Sequence, residues 1–191
     1  MKDKCAQLKN INAAFDADTR DLVKGRACTR GCSFCCKEAG SIDITTLEGM
    51  AIRKAMEKMP KSRQKTLTKA FRNEIKQRET GKTVPCPFLM KNDACMIYED
   101  RPFSCRRIYS AHVCSPDAPP AVSRQVMERA DQTIAALQKV DNTGYSGHLS
   151  YILYMLSVPA FLKTYTAGEF KPEEIMEFGK AHRIVINRMM G

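Results

Sequence analysis

The 191-residue sequence has no tryptophan, only three histidines and no long apolar run. Its best apolar stretch, residues 151–162, is interrupted by Ser157 and Pro159, so no segment approaches the ~20 residues that a membrane span requires. The first ten residues lack the apolar stretch of a secretory signal. We therefore expect a cytoplasmic protein without membrane association, in a compartment that keeps thiols reduced.

Against these absences stand two excesses, in cysteine and in basic residues. Of the 9 cysteines, Cys5 is isolated and the other eight lie between residues 28 and 114. Lys and Arg number 31 against 21 acidic residues, and the window 50–82 alone contains 11 basic and 3 acidic side chains. The basic window lies between the two cysteine groups, so charge and sulfur belong to different parts of the chain.

Helical patterns dominate outside the cysteine segments. Thr45 followed by Glu48 fits a capping box, and Leu67, Phe71 and Ile75 give the basic window one narrow apolar stripe. Further helices are predicted after residue 120, the last beginning near Pro172 and carrying its apolar face to Val185, Ile186 and Met189. Residues 41–44 are the best candidate for a short strand.

We therefore predict a mainly α protein with little or no β-sheet, its helices packed around ordered cysteine-rich loops at 25–40 and 83–118. The length favours one domain, 1–191. Within it we expect a cysteine-cluster region, 25–118, that includes the basic helical insert 50–82, and a helical C-terminal part, 119–191.

The first cysteine motif places four thiols within nine residues, at Cys28, Cys32, Cys35 and Cys36. This spacing lets one tight loop aim several sulfurs at a single point, and Gly31 can supply the positive φ of such a turn. Thiolates select zinc, copper(I) or iron–sulfur clusters. Because Cys35 and Cys36 are adjacent, their side chains leave the backbone in different directions, and we expect them to have different roles.

The second group is spread out, with spacings of 9, 10 and 9 residues between Cys86, Cys95, Cys105 and Cys114. Such spacings are typical of separate ligands delivered by a long loop. Cationic neighbours favour the thiolate over the thiol and offset the charge of a polythiolate site. Five arginines lie near the cysteines in the sequence: Arg26, Arg30, Arg101, Arg106 and Arg107.

Three roles compete for these eight cysteines. They could be buried as small apolar residues, or paired in disulfides, but a tight motif beside distant cysteines in a cytosolic chain favours metal ligation. His112 is the one histidine near them, and this scarcity of histidine slightly disfavours mixed Cys/His zinc sites. Four-Cys zinc and iron–sulfur clusters both remain open, as do one site with spare thiols and two sites.

These residues resemble the YkgJ-type cysteine-cluster family, named for its CxxCxxCC motif and described as a zinc- or iron-chelating domain. The resemblance covers about residues 25–110 and implies that the matched cysteines bind metal, with Cys114 less firmly included. This chain has one residue more between Cys28 and Cys32 than the motif spells. The matching segments are 28–36, Cys86 with Pro87, Phe88 and Leu89, and Cys95 with Ile97, Tyr98, Glu99, Arg101, Pro102, Cys105 and Arg106.

We therefore predict a protein that coordinates zinc or iron, as ions or as an iron–sulfur cluster, through its clustered thiolates. An alternative is an iron–sulfur enzyme or accessory factor in protein modification, linked to methylation because flagellin lysine N-methylases contain a similar cluster. Another is an RNA- or acidic-protein-binding module that uses residues 50–82 around structural zinc. The sequence identifies no catalytic residues and leaves open whether the protein is an enzyme.

Cys28, Cys32, Phe34 and Cys35 also fit the radical S-adenosylmethionine signature of three cysteines with an aromatic residue before the last. That chemistry usually sits on a β/α barrel, which a helical chain of this length does not offer. The adjacent Cys36 departs from the signature as well. We therefore disfavour a barrel enzyme of that type.

Overall fold

The computed structural model describes residues 1–38, 41–169 and 171–182, and the backbone of 188–189. In these ranges the fold is mainly α, as predicted. Every helix there is too short or too polar to cross a lipid bilayer. The helices are α1 (Lys2–Thr19), α2 (Phe34–Glu38), α3 (Thr46–Glu57), α4 (Lys61–Glu79), α5 (Phe103–Arg106), α6 (Arg124–Val140), α7 (Leu149–Ser157), α8 (Pro159–Thr166) and α9 (Pro172–His182).

A small antiparallel sheet joins distant parts of the chain. Its strands are β1 (Asp43–Thr45), β2 (Tyr145–His148) and β3 (Arg188–Met189), in the order β1-β2-β3. Ile44 lies opposite Gly147 in the first pair. β1 overlaps the predicted segment 41–44, whereas no strand was predicted at the position of β2. The sheet thus fixes the segment that follows the first cysteine motif against the start of α7.

Two apolar clusters hold the helices together. The first collects α3, α4, α7, α8 and α9, and takes in Phe88 and Ile97 from the cysteine loops. The second lies between α1 and α6, where Phe15 meets Phe103 of α5 edge to face at 4.8 Å. The loop that contains Cys86 and Cys95 is therefore anchored in the first cluster, and α5, which contains Cys105, is anchored in the second.

The predicted capping box and the predicted apolar stripe of the basic window are confirmed. Thr45 caps α3 in a full capping box with Glu48, and the stripe of Leu67, Phe71 and Ile75 is the buried face of α4. Pro159 begins α8 rather than kinking α7. The predicted face of the last helix extends to Val185 and Ile186, which lie outside the described residues, and nothing is described of the Met189 side chain.

Candidate metal centre

Seven of the eight predicted cysteines line one cavity of about 240 Å³. The remainder of its wall is largely apolar and aromatic, with Phe88, Ile97 and Tyr98 among its residues. Cys114 is not part of this wall, but lies close enough to raise the pKa of Cys28 and of Cys35. The lining cysteines are Cys28, Cys32, Cys35, Cys36, Cys86, Cys95 and Cys105.

The first motif turns tightly and then becomes helical. Gly31 has a φ of +97°, as its place in the motif predicted, and the Cys32 N–H donates to the Thr29 carbonyl at 3.0 Å. The next residues form α2, so Cys35 and Cys36 sit on a helix rather than in a loop. Successive helical residues point about 100° apart, which separates these two thiols.

The segment after α4 is tied directly to α2. The Cys86 N–H donates to the Cys36 carbonyl at 2.7 Å. A tight turn follows, in which the Met96 N–H donates to the Phe88 carbonyl at 2.9 Å. Leu89 and Cys95 form an isolated antiparallel β-bridge in this turn. These bonds bring Cys86 and Cys95 to Cys36, although Cys86 lies 50 positions after Cys36 and Cys95 lies nine positions after Cys86.

Cys105 reaches the cavity on α5, another short helix within a segment predicted to be loop. The start of α5 is held by Glu48, whose Oε1 accepts from the Phe103 N–H at 2.6 Å. The Ser104 hydroxyl donates to the carbonyl of Asp43 in β1. The α3 capping box therefore also positions the helix that carries Cys105.

A separate set of bonds positions Cys28. The Ser110 N–H donates to the Cys28 Sγ at 3.1 Å, and the Ala27 N–H donates to the Ser110 carbonyl at 3.1 Å. The fully buried Ser110 hydroxyl accepts from the N–H groups of His112 and Ala121. This places the segment that contains Cys114 beside the first motif, a contact that no sequence pattern indicates.

Burial raises the pKa of six cavity thiols above the ordinary value, those of Cys28, Cys35, Cys36, Cys86, Cys95 and Cys105. Desolvation is the largest cause at every cysteine whose pKa rises, and it takes Cys35 to about 11 and Cys86 to about 12. At all of these except Cys95, neighbouring thiolates raise the pKa further because like charges repel. Without a bound cation these thiols are therefore protonated at neutral pH.

The arginines near the cysteines lower the thiol pKa values less than the sequence suggested. Arg101 lowers the pKa of Cys95, as expected, but desolvation outweighs it and the net shift is upward. Arg101 also lies over the Tyr98 ring at 4.1 Å, and Arg30 over the same ring at 5.1 Å. Arg106 and Arg107 line the cavity, while Arg26 donates to the Leu22 carbonyl.

The donor set fits a thiophilic metal, since crowded thiols that repel as anions gain from a shared cation. The structure brings these thiols into one region without closing a site. Among the described residues, no three Cys, His, Asp or Glu side chains are arranged to hold a metal ion. Metal binding would therefore draw thiols together from the positions seen here.

A helical fold with a cysteine-lined cavity is the kind of structure expected of a protein that binds metal through thiolates. The family comparison agrees. The profile of the CxxCxxCC family, described as "Putative zinc- or iron-chelating domain", matches residues 27–139, more than half of the chain. The chain belongs to this family. No curated protein and no solved structure is significantly similar to it.

Proposed function

We propose that the protein binds zinc or iron through the thiolates of eight cysteines and that this binding organises its cysteine-rich segments. The observation that carries the proposal is the single cavity into which seven of these thiols converge from four separate chain segments. Zinc and iron both accept all-thiolate ligation. The ligands are Cys28, Cys32, Cys35, Cys36, Cys86, Cys95, Cys105 and Cys114.

Protein purified anaerobically without chelators is expected to contain at least one equivalent of zinc or iron by elemental analysis. A brown solution with visible absorption would identify an iron–sulfur cluster, and a colourless one zinc. Cys5→Ser is the matched control and should leave the metal content unchanged, because Cys5 lies outside the cavity and contacts Lys54. Metal-free protein from a metal-replete preparation would contradict the proposal.

A second candidate is an iron–sulfur enzyme or accessory factor in protein modification. The observation in its favour is the size of the cavity, about 240 Å³, together with its aromatic and aliphatic wall. This is more room than one ion needs, and it lies directly beside the thiols. The proposed link to methylation is by analogy with flagellin lysine N-methylases, which contain a similar cysteine cluster. Anaerobic iron and acid-labile sulfide analysis separates this candidate from a zinc protein.

We also propose that residues 1–191 form one domain and that α4 offers a partner surface. α1 packs on α6, and α4 packs on α7, so the N-terminal and C-terminal parts share their cores.

The solvent face of α4 has basic residues opposite its buried stripe, which suits an acidic protein or a nucleic acid. Its exposed basic residues are Lys61, Arg63, Lys65, Lys69, Arg72 and Lys76.

A further inference from the structure

A straight row of cations runs along the exposed side of α4. Successive helical residues point about 100° apart, so the members of the row fall within an arc of about 80° and extend over about 22 Å of the helix axis. All of them are exposed, and the arc does not overlap the buried face of α4. The residues of this basic row are Lys61, Lys65, Lys69, Arg72 and Lys76.

The basic row has no counter-charge in the part of the chain that the structure describes, where none of its members forms an ion pair. The acidic residues of α4 are engaged elsewhere. Glu74 is buried and pairs with Arg78, and Glu79 lies beyond the row, 3.1 Å from the His182 ring. Like charges four residues apart on a helix repel each other. An anion with repeating charges would relieve this repulsion.

The side chains around the basic row are polar. Every exposed residue of α4 is charged or carries a hydroxyl or amide group, and the large exposed apolar side chains of the described residues lie on other segments. The core of a protein–protein interface is enriched in aromatic side chains and depleted in lysine, so this face matches a protein partner poorly. Phosphate oxygens accept from Lys and Arg, and also from the groups that flank the row at Ser62, Thr66 and Asn73.

The position of the aromatic residue of α4 favours one form of nucleic acid. Phe71 is the only aromatic residue of this helix, and it is buried against Phe88. Proteins that bind single strands usually stack the bases on accessible aromatic side chains. A duplex keeps its bases stacked inside and presents closely spaced phosphates outside, so Lys and Arg side chains are sufficient to hold it.

We propose that the basic row of α4 binds the phosphate backbone of a nucleic acid duplex, independently of the base sequence. This inference rests on the α4 partner surface proposed above and specifies its partner, and it does not depend on the metal. If each of the five cations neutralises one phosphate, the logarithm of the association constant falls with the logarithm of the salt concentration with a slope of about −4.5.

Fluorescence anisotropy of a labelled DNA duplex, titrated with reduced protein at several salt concentrations, tests the proposal. The row variant combines Lys65→Gln, Lys69→Gln and Arg72→Gln. We expect it to bind at least about tenfold more weakly than wild type at low salt, and its salt slope to be smaller by about 3, because each lost phosphate contact removes about one unit. Glutamine has a helix propensity close to that of lysine, so the variant should fold, which circular dichroism checks.

The matched control combines Lys2→Gln, Lys9→Gln and Arg20→Gln, which removes the same charge from exposed positions of α1 and the residue after it. Its affinity should stay within about twofold of wild type, with the salt slope unchanged. Equal losses in the row variant and the control would overturn the proposal, because net charge alone would then account for binding.

Two further ligands separate the alternatives. An RNA duplex should bind like the DNA duplex because the phosphates are shared, whereas tighter binding of single-stranded DNA would overturn the choice of a duplex. Polyglutamate should displace the labelled duplex less well, at equal charge concentration, than unlabelled duplex does. If it competes equally well, the partner is an acidic protein, and the inference fails while the α4 partner surface stands.

Wild-type protein that binds neither duplex nor polyglutamate would contradict the α4 partner surface as well. Elemental analysis of the same preparation tests the metal proposal separately, since a metal-free preparation that binds the duplex would contradict only that proposal. The failures are therefore distinguishable.

Discussion

Replacing Asp141 with alanine is expected to lower the free energy of unfolding by about 3–5 kcal/mol. The Asp141 side chain is fully buried at the end of α6. It accepts hydrogen bonds from the Thr46 hydroxyl at 2.7 Å, the Leu47 N–H at 3.0 Å and the Tyr165 hydroxyl at 2.7 Å. Alanine would leave these buried donors unsatisfied, one on α8 and two at the start of α3, the helix whose capping box supports Cys105.

Urea unfolding of the purified variant measures this loss. The control is Asp131→Ala, which removes an exposed carboxylate from the same helix and should change stability by less than about 0.5 kcal/mol. A loss below about 1 kcal/mol for Asp141→Ala would show that the α6 end and the α3 start are not coupled through this carboxylate.

Acidification from pH 6.5 toward pH 3 is expected to destabilise the protein through His148. Burial, with a contribution from Arg78, lowers the pKa of this imidazole from 6.5 to about 3. Between these values the unfolded chain binds a proton that the folded chain does not, so the stability present above pH 6.5 is lost as the pH falls. The slope from this one group is at most about 1.4 kcal/mol per pH unit.

The variant His148→Gln isolates this contribution. The imidazole accepts from the Ser150 N–H, and its Nε2 lies 3.6 Å from Glu74, whose own pKa is raised by burial and so acts in the opposite direction. Unfolding free energies measured at several pH values should therefore fall less steeply in His148→Gln than in wild type. Parallel curves would contradict the prediction that His148 is buried in its neutral form.

Local signals in the sequence predicted the parts of the fold that local physics determines. The capping box at Thr45 and Glu48 satisfies its own backbone groups, and the stripe on α4 needs only a helical period. α1 was not predicted, although Leu8, Ile11 and Phe15 have helical spacing; the structure shows that this face packs in the second apolar cluster. β2 exists because it pairs with β1, which no pattern within Tyr145–His148 indicates.

The same distinction holds at the candidate site. Cysteine type and spacing singled out eight candidate ligands, of which seven line one cavity. Which thiols meet depends on contacts between distant segments, such as the bond of Cys86 to the Cys36 carbonyl and that of Ser110 to the Cys28 sulfur. Spacings of nine or ten residues give no indication of these contacts, because a loop of that length can close in many ways.

Cysteine-resolved alkylation shows directly which thiols a bound metal protects. Metal-loaded and chelator-stripped protein are treated with iodoacetamide, and each cysteine is quantified by peptide mass spectrometry. We expect metal to protect Cys28, Cys32, Cys35, Cys36, Cys86, Cys95, Cys105 and Cys114, while Cys5 reacts equally in both states. Equal labelling of those eight cysteines with and without metal, even at the exposed Cys32, would contradict this expectation.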